Sequence, residues 1–333
     1  MKKKNNNSGN IVDEIMISAQ LAAALEVSAY PKPGNVHRLR DFPDTRFEHF
    51  IAGSVGIGLA IREAASRGIE VVEGKLNYGQ LGLGELILKG IKYSKEWHTG
   101  GNTHLGTTML FIPLSISAGI NKARGKTDIT SIRKEFGKVM RATTVEDALA
   151  VTRAVEISNM GGLGKLTHLP DIGEEDISLE IRDKEYTLYQ LMKMSSSWDL
   201  VSQEMVRNLK IVCSEGYPYF VKALDETGDI NIAIVHTFLV LLSKHPDTFI
   251  ARKYGLRFVD DVSLAVKVGM KKSNEIAKRA DDILKAGGLS SKEGKDMIFK
   301  LDEDLAAERL NPGTTADITA TTIFVALLNG YRP

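Results

Sequence analysis

The 333-residue sequence holds a single cysteine, Cys213, so it can build neither an intrachain disulfide framework nor a cysteine-rich metal site. Set in the apolar run Lys210-Ile211-Val212-Cys213, that thiol is expected to be packed, not reactive. No charge sign dominates: 43 Lys and Arg face 42 Asp and Glu, which removes the basic footprint of a nucleic-acid binder. No uninterrupted apolar run approaches the roughly 20 residues that span a bilayer, so no membrane partner is expected. The start, Met1-Lys2-Lys3-Lys4, is basic like a signal peptide, but Asp13, Glu14 and Gln20 interrupt the apolar stretch that should follow. Residues 1–10 therefore read as a disordered tail, and the protein as cytoplasmic. Strand-like alternation is also scarce.

What is present is helical spacing of apolar residues. It predicts helices over 11–29, 46–66, 80–95, 105–123, 129–140, 145–158, 196–213, 230–243, 259–286, 290–310 and 315–328. The first must end before Pro31, because proline disfavours helical geometry in its predecessor. Thr143 followed by Glu146 has the spacing of a capping box. The exception is 159–187, broken by Gly161, Gly162, Gly164 and Pro170, where 177–186 has room for a short hairpin. With no linker or repeat, the expected fold is all-α: one multi-helix globular domain over 11–333 with a small irregular or hairpin excursion near 159–187. A homodimer is compatible with this reading.

Unusual polar residues gather in the breaks between helices, where a rigid scaffold can aim them at a ligand. In Tyr30-Pro31-Lys32-Pro33-Gly34-Asn35-Val36-His37-Arg38 two prolines and Gly34 stiffen a loop that carries Lys32, Asn35, His37 and Arg38, a set suited to polyphosphate oxygens. Solvated cations on a rigid helix exit are the plain alternative. Thr99-Gly100-Gly101-Asn102-Thr103-His104 precedes an apolar helix, so exposed N–H groups and the helix dipole favour an anion there, unless it is an ordinary capped glycine turn. Ser243-Lys244-His245-Pro246-Asp247-Thr248, with Arg252 and Lys253 beyond, fits a phosphate site or a simple helix start. Leu310-Asn311-Pro312-Gly313-Thr314-Thr315-Ala316-Asp317 is a further hydroxyl-rich turn, in which Thr314 and Asp317 also have capping-box separation. Glu85 lies among apolar residues of a predicted helix, either at its edge or partly buried with a partner, since buried carboxylates need one. Asp260-Asp261 reads as a helix cap or edge.

In order along the chain, these segments resemble the triphosphoribosyl-dephospho-CoA synthase family. That family's Pro-Lys/Arg-Pro-Gly-Leu-Val-Asp is similar to Pro31-Lys32-Pro33-Gly34-Asn35-Val36-His37, and Glu26, Asp44, Phe47, Phe50 and Ser54 also fit. Its glutamate followed by Gly-Val-Asn-Thr-His-Lys-Gly resembles Glu85 and then Gly101-Asn102-Thr103-His104-Leu105-Gly106. Its Asp-Thr pair resembles Asp247-Thr248, and its Pro-Gly-Gly-Ser-Ala-Asp resembles Pro312-Gly313-Thr314-Thr315-Ala316-Asp317. Leu105 and His37 depart from the pattern, replacing a lysine and an acidic residue, and Asn102 lacks the valine that precedes it there, as in a divergent branch.

The resemblance implies a pentosyl transferase that joins the 2′-hydroxyl of 3′-dephospho-CoA, or a related acceptor, to C1′ of the ribose of ATP and releases adenine. Such glycosyl transfer has an oxocarbenium-like transition state. It implies ATP as substrate, Mg²⁺ on the triphosphate, a base for the hydroxyl and an acid for adenine. On the resemblance, Glu85, Asp247 and Asp317 are expected to supply the Mg²⁺ ligands and a catalytic base. His104 is expected as general acid or phosphate donor, and Lys32, Gly34, Asn35, His37, Arg38, Gly100, Gly101, Asn102, Thr103, Thr248, Arg252, Gly313, Thr314 and Thr315 as the substrate- and phosphate-binding set. An all-α metal-dependent nucleotide or diphosphate phosphohydrolase, or an isoprenoid synthase, is a second reading, but no adjacent His-Asp dyad occurs and Asp260-Asp261 lacks the further aspartate three residues on that an aspartate-rich diphosphate clamp needs. A catalytically idle ATP-binding protein is a third.

Overall fold

Apolar residues at helical spacing commit most of the chain to helix, and burial of one face of each joins them into a common core. The structure, a computed structural model, describes residues 5–158 and 174–333. The elements are α1 (Asn5–Ser28), α2 (Phe47–Gly56), α3 (Gly58–Val72), α4 (Leu83–Glu96), α5 (Leu105–Ala123), α6 (Ile129–Arg141), α7 (Val145–Ile157) and α8 (Glu174–Asp183). They continue as α9 (Leu188–Ser195), α10 (Leu200–Val206), α11 (Tyr217–Thr227), α12 (Ile230–Lys244), α13 (Thr248–Gly255), α14 (Val262–Lys285), α15 (Lys292–Ala307) and α16 (Gly313–Leu328). No strand occurs among the described residues, only a lone bridge between His37 and Arg40.

At the centre lie α5 and α16, which are buried along nearly their whole length. Phe111 and Phe324 bring them together, with ring centroids 4.7 Å apart. α1 packs against both, α3 covers α5, and α12 flanks α16. Each fully buried Phe or Ile in this core contributes on the order of 1.5–3 kcal/mol through removal of apolar surface from water. Cys213 is 7% exposed and burial pushes its thiol up to about 12, so it is packed and unreactive, as its setting predicts. Among the described residues no helix is long and apolar enough to cross a membrane.

The structure departs from the sequence reading in several places. α1 begins at Asn5, so Asn5–Asn10 are helical where a disordered tail is expected. The 46–66 helix is two, meeting at Ile57. The 196–213 helix stops at Val206; left-handed Asn208 and Leu209 follow, then a π-helical turn over Val212–Gly216. The hairpin over 177–186 is replaced by α8, whose residues Ile177 and Ile181 face inward while Leu179 is 57% exposed. The earlier part of that excursion, 159–173, lies outside the described residues. The cap of α7 is Thr144 with Asp147, not Thr143 with Glu146: Asp147 N donates to Thr144 Oγ1 at 3.2 Å and Thr144 N to Asp147 Oδ2 at 2.8 Å. Asp261 caps α14 through Leu264 N at 2.7 Å, in keeping with its reading as a helix cap.

Candidate active site

A cavity of about 300 Å³ opens where α1, α5, α7, α9, α10, α13 and α16 converge. Its two sides differ in chemistry. Ile177, Ile181, Leu188, Leu191, Met192 and Val151 make one side apolar. Facing them are Glu26, Asn35, Asp44, Asn102, Thr103, His104, Arg252, Lys253, Asn311, Gly313, Thr314 and Asp317. All four of the polar inter-helical breaks thus contribute to one pocket, although by fewer residues than the sequence predicts.

The 30–38 loop is pinned from outside by Asp302 of α15. Gly34 N donates to Asp302 Oδ1 at 2.8 Å, Arg40 Nε to Oδ2 at 2.7 Å, and His37 Nε2 lies 3.6 Å from Oδ2. Gly34 is left-handed at φ +73°, and a β-carbon there would come within 2.8 Å of Leu305 Cβ, so glycine serves the turn and the packing. Gly34 and Arg40 therefore hold the loop to α15, His37 lies beside Asp302 without a hydrogen bond from Nε2, and neither Gly34 nor His37 lines the cavity. Arg38 is exposed and stacks over Tyr30 at 5.5 Å, also away from the cavity. Lys32, expected on phosphate, is fully buried and bonds Glu26. Of the loop, Asn35 alone lines the pocket; it is 3% exposed and its Nδ2 has no partner.

At the start of α5, Gly101 N donates to Asp44 O at 2.9 Å, and Asn102 Oδ1 accepts from Leu105 N at 3.1 Å. Gly100 packs on His49, outside the cavity. Thr103 Oγ1 lies between His104 Nδ1 at 2.9 Å and His98 Nε2 at 3.2 Å. His104 is 4% exposed against the Phe50 ring, and burial, helped by His98, pushes it down to about 3. It is a neutral imidazole at physiological pH and supplies no positive charge to a phosphate.

Asp247 is fully buried and accepts four hydrogen bonds. Oδ1 takes Phe249 N at 2.8 Å and Ile250 N at 2.9 Å, capping α13; Oδ2 takes Thr315 N at 2.7 Å and Thr315 Oγ1 at 2.8 Å. It ties the N-termini of α13 and α16 together and is not on the cavity wall. Thr248 likewise bonds Leu200 N at 3.2 Å and Thr314 Oγ1 at 3.4 Å, within the protein. Behind the tie, Arg252 stacks on Phe249 at 4.9 Å, is 7% exposed, and leaves Nε without a partner at the cavity.

Asp317 faces the cavity from α16 and accepts from Thr107 Oγ1 at 2.6 Å. It caps nothing: α16 starts at Pro312 with no side-chain cap. Burial pushes its carboxyl up to about 8, against the Thr107 bond and aided by the charges of Glu26 and Asp247. Glu85 is exposed on the first turn of α4 and away from the cavity, since the apolar face of that helix turns inward without it. The expected Mg²⁺ set of Glu85, Asp247 and Asp317 therefore does not assemble: one faces solvent and another has its acceptors filled. Among the described residues no group of three His, Cys, Asp or Glu side chains is arranged to hold a metal.

Beyond the expected set the cavity adds the acidic residues Asp44, Asp199 and, buried in its wall, Glu26. The fit of Glu26 to the family pattern is the signal that marks it in the sequence. Asp199, which caps α10 through Ser202 N at 2.7 Å, and Thr107 also line the pocket without having been singled out. Residues 12–333 match the profile of the family described as ATP:dephospho-CoA triphosphoribosyl transferase. The 2-(5″-triphosphoribosyl)-3′-dephosphocoenzyme-A synthase of Klebsiella pneumoniae is 29% identical over 115 residues, 34% of this chain and 33% of that protein. Its counterpart in Pectobacterium atrosepticum is 29% identical over 119 residues, 36% and 33% of the two chains. The chain thus aligns with about a third of the length of each of these relatives. A crystal structure assigned as a triphosphoribosyl-dephospho-coA synthase of Archaeoglobus fulgidus superposes with a TM-score of 0.61 at 26% identity, over 85% of this chain and 100% of that one. A helical fold and a profile match over nearly its full length make this chain a member of the ATP:dephospho-CoA triphosphoribosyl transferase family.

Proposed function

We propose that the cavity binds ATP, carrying its Mg²⁺ as counter-ion, and transfers the 5′-triphosphoribosyl group to the 2′-hydroxyl of 3′-dephospho-CoA with release of adenine. The observation that carries this reading is the division of one pocket into a cationic corner, a carboxylate pair and an apolar side. Arg252 and Lys253 stand beside the N-terminus of α16, where Gly313 and Thr314 face the cavity. A fork of guanidinium donors and the positive end of a helix suit the triphosphate. Asn35 Nδ2 and Asn311 Oδ1, buried without partners on the same wall, are a donor and an acceptor for ribose or base.

Glu26 and Asp317 lie along the same wall and act on the protons of the reaction, while the apolar side receives the aliphatic arm of the acceptor. The reaction places the enzyme among small metabolites of the cytoplasm, with no nucleic-acid partner. Its test is mass spectrometry of products from ATP, Mg²⁺ and 3′-dephospho-CoA. An acceptor heavier by the triphosphoribosyl group, together with free adenine, is the expected result. Phosphate or diphosphate release without adenine would instead make the protein a phosphohydrolase, and ATP binding without any product an idle binder.

A further inference from the structure

Lys32 is the largest fully buried side chain in the described core, at 0% exposure, and its ammonium bonds the Oε1 of Glu26. Removing both charges from water is costly, and a buried ion pair is weak as a source of stability compared with packed apolar residues. Its position is informative. Glu26, on the last turns of α1, is 6% exposed and lines the cavity, whereas Lys32 lies behind it, away from the wall, with the Phe238 ring 6.0 Å from its ammonium. The one hydrogen bond to Glu26 among the described residues goes to Oε1, so Oε2 retains its acceptor capacity.

The other carboxylates of the wall are placed differently. Asp44 is exposed at the mouth, Asp199 caps a helix, and Asp317 is held by the neutral hydroxyl of Thr107. Glu26 is the one among them hydrogen-bonded to a buried cation, whereas Asp199 feels the charge of buried Arg252 without a bond to it. We propose that Glu26 is the base that takes the proton of the acceptor hydroxyl, and that Lys32 is a positioning residue that fixes this carboxylate from behind and does not touch phosphate. The role rests on the transferase reading above.

In the step, the acceptor oxygen forms its bond to C1′ as its proton passes to Glu26. The C1′–N9 bond breaks and its electron pair leaves with adenine. The proton lost by the hydroxyl equals the one adenine takes up, so Glu26 returns to its carboxylate at the end of the cycle. Burial raises the carboxyl above the ordinary glutamate range while Lys32 restrains it, which moves a weak base toward neutrality. Burial lowers Lys32, again opposed by its partner. The other titratable groups of this wall are Asp317 from α16, which burial keeps protonated up to about 8, and neutral His104 from the start of α5, together with Asp44, Asp199, Arg252 and Lys253.

The test compares the wild type with Glu26→Gln, Lys32→Met and the double variant, measuring adenine release with ATP and 3′-dephospho-CoA across pH and ATP affinity by calorimetry. Glu26→Gln should lower kcat by about 10²–10⁴-fold and leave ATP affinity within about threefold. Lys32→Met should move the acidic limb of kcat upward by about one pH unit or more, because the carboxylate loses its cation, with ATP affinity again unchanged. If either single variant misfolds, the double variant, which leaves no lone charge in the core, keeps the question open to measurement: folded, ATP-binding and inactive is the expected result. An active wild type whose Glu26→Gln form keeps its kcat overturns the base role alone. A Lys32→Met enzyme that loses ATP affinity while its pH limb stays fixed returns Lys32 to the phosphate. A wild type that releases no adenine overturns the transferase reading and this role with it.

Discussion

Thr107 on α5 donates its hydroxyl to Asp317 on α16 over 2.6 Å, and the helices approach so closely there that a β-carbon on Gly106 would lie 2.1 Å from the carboxylate. A carboxyl group this enclosed, raised from the ordinary 3.8 to about 8, keeps in the folded protein a proton that the unfolded chain has lost. Its contribution to stability is complete below 3.8 and declines as pH rises toward about 8. Asp317→Asn keeps the shape and removes the titration. Thermal melts over a pH series should show the variant losing less stability than the wild type across that interval. Parallel curves would mean the carboxyl ionises freely.

His104 gives the opposite slope. Its imidazole is pushed from 6.5 down to about 3, so acid protonates the unfolded chain first and stability falls as pH drops through that window. His104→Gln should flatten this acid loss in denaturant titrations at successive pH values. If proton uptake on unfolding is the same for both proteins, His104 is more exposed to water than its position implies.

These two side chains show where sequence reasoning reached and where it stopped. Helical spacing located most helices, and the ordered run of polar breaks found His104, Asn35, Arg252 and Asp317 on one cavity. The break at Ile57 is flanked by Gly53, Gly56 and Gly58, a breaking signal that the continuous apolar spacing over 46–66 outweighs in the sequence. Ile177, Leu179 and Ile181 alternate like a strand, yet the i,i+4 pair Ile177 and Ile181 meets the core and Leu179 does not. Glu85 and Asp247 carry acidic side chains whose type is visible but whose direction is not. One helical turn decides whether a carboxylate sees solvent, a helix start or a ligand.

Asp247 and Glu85 should therefore behave unlike catalytic residues. Asp247→Ala removes the acceptor of four hydrogen bonds at two helix starts and is expected to cost about 2–4 kcal/mol in denaturant unfolding. Glu85→Gln is expected within about 0.5 kcal/mol of the wild type, with turnover intact. A Glu85→Gln protein that is stable but inactive would return this position to the site.

Arg252 is the buried cation of the corner proposed for the triphosphate. Arg252→Met should weaken ATP binding by about tenfold or more and reduce its salt dependence, since a charge-assisted contact contributes on the order of 1.5–3 kcal/mol. Calorimetry at two ionic strengths reads both effects. An unchanged affinity would place the triphosphate elsewhere on the wall.

The carboxylate of Asp247 fastens the first turn of α13 to the first turn of α16, so Arg252 and the Gly313–Thr314 turn belong to one rigid block. On the proposed function, a nucleotide arriving there would meet donors whose mutual spacing is already set. Little freedom would then be surrendered on capture, and a single side chain off the cavity wall would govern how tightly the ligand is held.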